Sequence, residues 1–155
     1  MGQQQLILLV LATVIVGVAI VVGIRAFTEN SAKSNADAMM QQAVRIANDA
    51  QAWKKKPAPF GGQASTQTQA VVSAPADFSG ATWAALGYND DGAGNYVNLD
   101  GSFTIAPTAT ATTITGTNAQ EDNTVVVTLD GMTDTDIAGS ITCLGGTNPA
   151  DGTTC

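Results

Sequence analysis

The chain opens on a helical pattern too long for any domain this size to enclose, and that pattern governs what the rest can fold into. Leu6 to Ile24 reads LILLVLATVIVGVAIVVGI, 19 residues without a charge, proline, Asn or Gln. As a helix it spans roughly 28 Å at ~1.5 Å per residue, about the thickness of a bilayer core. The pattern continues past Ile24. From Phe27 to Trp53 there is neither proline nor glycine, and small or apolar residues recur at Ala32, Ala36, Met39 or Met40, Ala43, Ile46 or Ala47, Ala50 and Trp53. Steps of three and four place them in one stripe on a helix. Glu29/Lys33 and Arg45/Asp49 put opposite charges four apart on the exposed side, Lys54 to Lys56 suit the C-terminal end of the helix dipole, and Pro57 ends the helix. Leu6 to Lys56 is thus expected as one helix of about 77 Å, apolar all round in its first half and amphipathic in its second. A domain of about 100 residues is only ~26 Å across, so half of the helix must protrude, into lipid or into copies of itself.

On its own the apolar segment admits three readings: a transmembrane anchor, a secretory signal, or the protruding half of the longer helix. A signal needs a basic n-region, whereas Met1-Gly2-Gln3-Gln4-Gln5 carries no Lys or Arg.

Charge divides the 155 residues into three zones. The first 24 residues have no charged side chain. Residues 25–56 hold all six bases and three acids, and residues 57–155 hold ten acids and no base. A sequence pI near 4.1 and a head without a base argue against nucleic acid as a partner of the head. There is no histidine, which excludes a Ser-His-Asp triad, a Cys-His pair and a histidine metal site. The chain is read as a non-enzyme without a cofactor. Lys and Arg lie only after the apolar segment, and the positive-inside tendency then places the C-terminal side in the cytoplasm.

Residues 57–69 (PAPFGGQASTQTQ) read as a linker, and residues 70–155 as a Thr/Gly-rich β head. Ala70 to Ala74 carries a faint strand signal. Tyr96 to Leu99, Asp100-Gly101 and Ser102 to Ile105 read as a hairpin around a two-residue turn. Ala111 to Gly116 and Thr124 to Asp130 pair across a polar loop, and Ile137 to Cys143 adds a further strand. Eleven threonines fall within residues 103–135, in keeping with strand preference. The expected fold class is α+β: a long protruding N-terminal helix packed on a small antiparallel sheet. The expected core is Phe78, Trp83, Leu86, Phe103, Ile105, Ile114, Val125, Val127 and Leu129, supplemented by the helix because aromatics are few.

This architecture resembles the type IV pilin family: a short leader ending in glycine, an apolar helix continuous with an amphipathic half, and a small β-rich head whose C-terminal loop many members close with a disulfide. The matching residues are Gly2 before Gln3, the apolar run Leu6 to Ile24, the amphipathic run to Trp53, and Cys143 with Cys155. Ile7 stands where the family usually carries a glutamate, and no acid precedes Glu29. The resemblance implies processing between Gly2 and Gln3 and a helical homopolymer cored by Leu6, Ile7, Leu9, Val10, Val14, Val18, Val21 and Val22. It also implies identical subunits and an inner-membrane assembly machinery as partners, storage in the membrane before assembly, and an extracellular filament as the final location. Gly17 and Gly23 are expected soft points where the helix unwinds or packs closely. The alternative is a monomeric, single-pass, membrane-anchored surface module whose acidic head binds a ligand or ion.

Two further motifs bear on the head. Cys143 and Cys155 enclose LGGTNPADGTT; two cysteines without histidine do not make a zinc site, and the pairing reads as a disulfide of an oxidising compartment. Asp90, Asp91 and Asn95 cluster oxygen atoms among glycines, as hard cations accept, but without EF-hand spacing, so an acidic surface loop is the preferred reading and no metal is assigned.

Overall fold

A computed structural model describes residues 2–62 and 77–155. Helix α1 runs without a break over Gly2–Lys55, 54 residues or about 81 Å. A short 3-10 turn at Ala58–Phe60 follows. The rest of the described chain holds helix α2 (Trp83–Leu86) and strands β1 (Asn95–Val97), β2 (Ser102–Pro107), β3 (Thr112–Asn118), β4 (Asn123–Leu129) and β5 (Ile137–Cys143). The strands form one antiparallel meander in the order β1-β2-β3-β4-β5. The architecture is therefore α+β, as the sequence pattern requires. The expected strand at Ala70 to Ala74 lies outside the described residues.

The second half of α1 lies across one face of the sheet, and the alanine stripe makes that possible. Ala32, Ala36, Met39, Ala43, Ile46, Ala47, Ala50 and Trp53 are all buried. Five of these eight side chains are a single methyl group, so the helix axis approaches the sheet closely. Met39, Ala43, Ile46 and Ala47 meet Trp83, Phe103, Ile114, Val125 and Val127 in one cluster. Ala50 and Trp53 meet Phe78, Ala81, Leu129 and Met132 in a second cluster at the C-terminal end of the helix. Of the expected core, Leu86 and Ile105 are only partly buried and pack at the margin. The inward face also contains Gly116, where an added Cβ would stand 2.8 Å from the Phe103 ring and 2.9 Å from Val125. Glycine is required there by space alone.

The β1–β2 hairpin departs from the expected two-residue turn. β1 ends at Val97, paired with Ser102, so residues 98–101 form a four-residue connection. Asn98 Oδ1 accepts the N–H groups of both Asp100 and Gly101, each at 3.0 Å, and the Asn98 N–H donates to Gly101 O. This side-chain capture ends the strand early and places Leu99 in the turn. Neither Asp100 nor Gly101 has positive φ, as an Asp-Gly turn of type I′ would need. Gly101 is glycine because a Cβ there would stand 2.6 Å from Thr117 O.

Sheet direction defines two ends of the head. The β2–β3 and β4–β5 connections lie at the end near Trp53, where Gln51 Nε2 donates to Gly131 O and Thr133 O. The β1–β2 and β3–β4 turns and the C-terminal loop lie at the opposite end, against Ser31 to Asn35. This end, called the base below, faces the apolar half of α1.

Candidate functional site

Among the described residues, the exposed large apolar side chains are concentrated in the apolar half of α1. Leu6, Ile7, Leu9, Val10, Val14, Val18, Val21 and Val22 are between 51% and 66% exposed. Burial begins only at Ala32, so no face of residues 6–24 is turned toward the head. Fourteen Leu, Ile and Val side chains lie within that run. Full burial from water is worth ~1.5–3 kcal/mol for each, so hiding them all is worth roughly 20–40 kcal/mol. No monomer leaves that much free energy in contact with water. By length and composition α1 is the one helix among the described residues able to cross a membrane.

The other expected positions fall as follows. Gly2 and Gln3 occupy the exposed first turn of α1. Gly17 and Gly23 sit within unbroken helix, and an added Cβ at either meets nothing within 4 Å, so nothing inside the single chain demands glycine there. Cys143 and Cys155 are disulfide-bonded with a Cα separation of 6.1 Å. The bond pins the C-terminal residue back to the end of β5, and the Cys155 N–H donates to Gly146 O at 3.0 Å.

The Asn89–Asn95 loop uses its own carboxylate to close. Asp91 Oδ1 accepts the N–H groups of Ala93 and Asn95 at 2.8 and 3.0 Å, and Oδ2 accepts from Asn95 Nδ2 at 3.1 Å. These donors, the Asn95 backbone N–H first, hold the Asp91 carboxyl below the usual carboxylate range. Asp77, Asp136 and Asp151 are lowered in the same way by Ser79, Thr133 and Thr153. These acids staple turns. Among the described residues no group of three or more metal-ligating side chains gathers.

All ten acids of residues 57–155 lie outside the five strands. The sheet face away from the helix is consequently uncharged; one row across it runs Thr104, Thr115, Val126, Ser140. Tyr88 is partly buried at the flank beside Trp83 and Tyr96, with ring centroids 6.0 and 4.8 Å away. Its hydroxyl donates to Asp49 Oδ2 at 2.5 Å, and burial together with that carboxylate pushes the phenol up to about 12.

The residue that joins helix, sheet and C-terminal loop escaped the sequence reading. Asn123 is 1% exposed. Its Nδ2 donates to Ala32 O at 2.8 Å and to Asn35 Oδ1 at 2.9 Å, and its Oδ1 accepts the Gly145 N–H at 2.9 Å. This clamp sets where α1 leaves the head. Asn123 reads as the last residue of the polar loop Thr117 to Asn123, so pattern alone gave it no inward role. No family model matches the chain, and neither a curated protein nor a solved structure matches it.

Proposed function

We propose that this protein is the structural subunit of an extracellular type IV pilus-like filament, polymerising through the apolar half of α1. One observation carries the reading: a single continuous helix supplies the core of the head with one half and leaves the other half apolar, intact and wholly unburied. The small antiparallel head and its disulfide-closed C-terminal loop suit the same family resemblance. Before assembly the segment Leu6 to Ile24 rests in the membrane. In the filament the same segments of neighbouring copies cover one another, and the heads form the surface. Moving an apolar helix from lipid to other apolar helices gains far less than burial from water, so an inner-membrane machinery must do work during assembly. Head-to-tail copies build an open helix rather than a closed ring.

The second reading is a monomeric membrane-anchored module with an acidic head. The placement of Lys and Arg only after the span, which puts the C-terminal side in the cytoplasm, counts against the topology of the filament and of an anchored surface head alike. The two separate in one experiment: mass spectrometry, with the intact N-terminus, of filaments sheared from the native cells and checked by electron microscopy. This chain as the dominant component supports the filament, and the N-terminal mass reports whether Met1-Gly2 is removed. Retention in the membrane fraction, with no filament containing the chain, leaves the anchored module.

A further inference from the structure

Two large apolar side chains at the base of the head are left uncovered by the described residues. Leu99, at the tip of the β1–β2 turn, is 99% exposed, and Phe27, one helical turn past Ile24, is 76% exposed. They form the two rims of one notch between α1 and the β1–β2 and β3–β4 turns. The floor between them is polar, yet it is already hydrogen-bonded to itself. Ser31 Oγ donates to Glu121 Oε1 at 3.0 Å, and Asn35 Nδ2 and Asn118 Nδ2 both donate to Asp100 O, at 2.9 and 2.7 Å. A partner that bridges only the rims, Phe27 and Leu99, leaves those bonds in place and leaves the other polar side chains of the floor, Asn30, Ser34 and Gln120 with the carboxylates of Asp100 and Glu121, in contact with water.

The height of Leu99 selects the partner. Its turn is tied to α1 at Asn35, 11 residues beyond Ile24, which is about 16 Å along the axis at ~1.5 Å per residue. The headgroup layer on one side of a bilayer is only about 5–8 Å thick. With Leu6 to Ile24 seated in the hydrocarbon, Leu99 stands clear of the lipid. The acids Asp100 and Glu121 beside it also oppose an anionic membrane surface. We propose that this notch is the seat for the apolar helix of a second copy of this chain, which lays its upper apolar turns, near Val18 to Val22, between Phe27 and Leu99. The stripe Ile20, Ile24, Phe27 carries the apolar surface of α1 directly to the notch, so the contact continues the helix-to-helix packing proposed above, on which it rests. It requires neighbouring copies to be staggered upward along the helix axis, by about 20–26 Å for Leu99, level with Asn35, to meet Val18 to Val22.

The test uses the full chain in its native cells. Leu99→Cys is paired in turn with Val18→Cys, Val21→Cys and Val22→Cys, and sheared filaments are oxidised and run without reductant. The expected result is a ladder of covalent multimers from at least one pair and from none of the single variants. Filaments that form but give no ladder with any pair overturn the seat while leaving the filament reading intact; wild-type chain absent from all filaments removes both. Leu99→Ser is expected to keep the near-UV spectrum of the head and lower filament yield about tenfold, the scale of one large apolar side chain; unchanged yield overturns the seat. An environment-sensitive probe on Leu99→Cys in the unassembled membrane form is expected to report water. An apolar signal there assigns Leu99 to lipid and overturns the proposal.

Discussion

Replacing Asn123 with alanine removes three hydrogen bonds at once, to Ala32 O, Asn35 Oδ1 and the Gly145 N–H. A neutral bond is worth about 1 kcal/mol net, and more where its partner stays dry. The Ala32 carbonyl keeps its place in the helical ladder, and Gly145 and Asn35 are near enough to solvent for water to reach them. The cost therefore sits near the sum of the bonds, about 3 kcal/mol. With a urea slope of about 1.5 kcal/mol/M, the unfolding midpoint falls by about 2 M. Unfolding of the full chain in detergent micelles, followed by near-UV circular dichroism from the Trp83, Tyr88 and Tyr96 cluster, reads this directly. Asn123→Asp keeps the acceptor for Gly145 but sets a buried carboxylate against two oxygens, so it is expected to cost more than alanine at neutral pH. It recovers as pH falls and the carboxyl regains a proton to donate. An alanine variant within 1 kcal/mol of wild type, or an aspartate variant as stable as wild type at pH 7, would refute the clamp.

Reduction of Cys143–Cys155, which closes a separation of 12 residues, is expected to destabilise the head by about 3 kcal/mol, and dithiothreitol should then have no effect on the Cys143→Ser/Cys155→Ser double variant. Tyr88 has its folded pKa raised from 10.0 to about 12 by burial and by Asp49. The stabilisation is therefore complete below pH 10 and is lost as pH rises through about 12; a pH series of melting temperatures should lose that alkaline limb in Tyr88→Phe. Gly116→Ala forces a Cβ to 2.8 Å from the Phe103 ring and is expected to cost ~1–3 kcal/mol, whereas Gly17→Ala meets nothing within 4 Å and should leave the head's unfolding midpoint unchanged.

The helix was legible from sequence because helical periodicity is a local property. The apolar run, the alanine stripe and Pro57 together set a helix over residues 6–56, and the helix observed is Gly2–Lys55. The same holds for β5, expected and found over Ile137–Cys143, and for β3 and β4, whose ends move by one or two residues. In β3 and β4 buried positions alternate with partly exposed ones along most of the strand, and burial of one face then determines their register. Turn chemistry was less readable. Asp100-Gly101 carries the composition of a two-residue turn, but the Asn98 side chain takes those two backbone N–H groups and ends β1 early.

Sequence alone determined that half of a long helix must stand outside the head, because no domain of this size has the interior to enclose it. It also determined that the head is acidic, without histidine, lysine or arginine, and built of short strands. Tertiary structure decided which polar residues hold that arrangement. Asn123 became a clamp because the β3–β4 turn delivers it to Ala32, 91 positions away in the chain. Tyr88 met Asp49, and Leu99 and Phe27 came to face one notch, for the same reason. Periodicity reports which face of an element is buried; it carries no information on which distant backbone groups a side chain will reach, since that depends on how the elements are stacked.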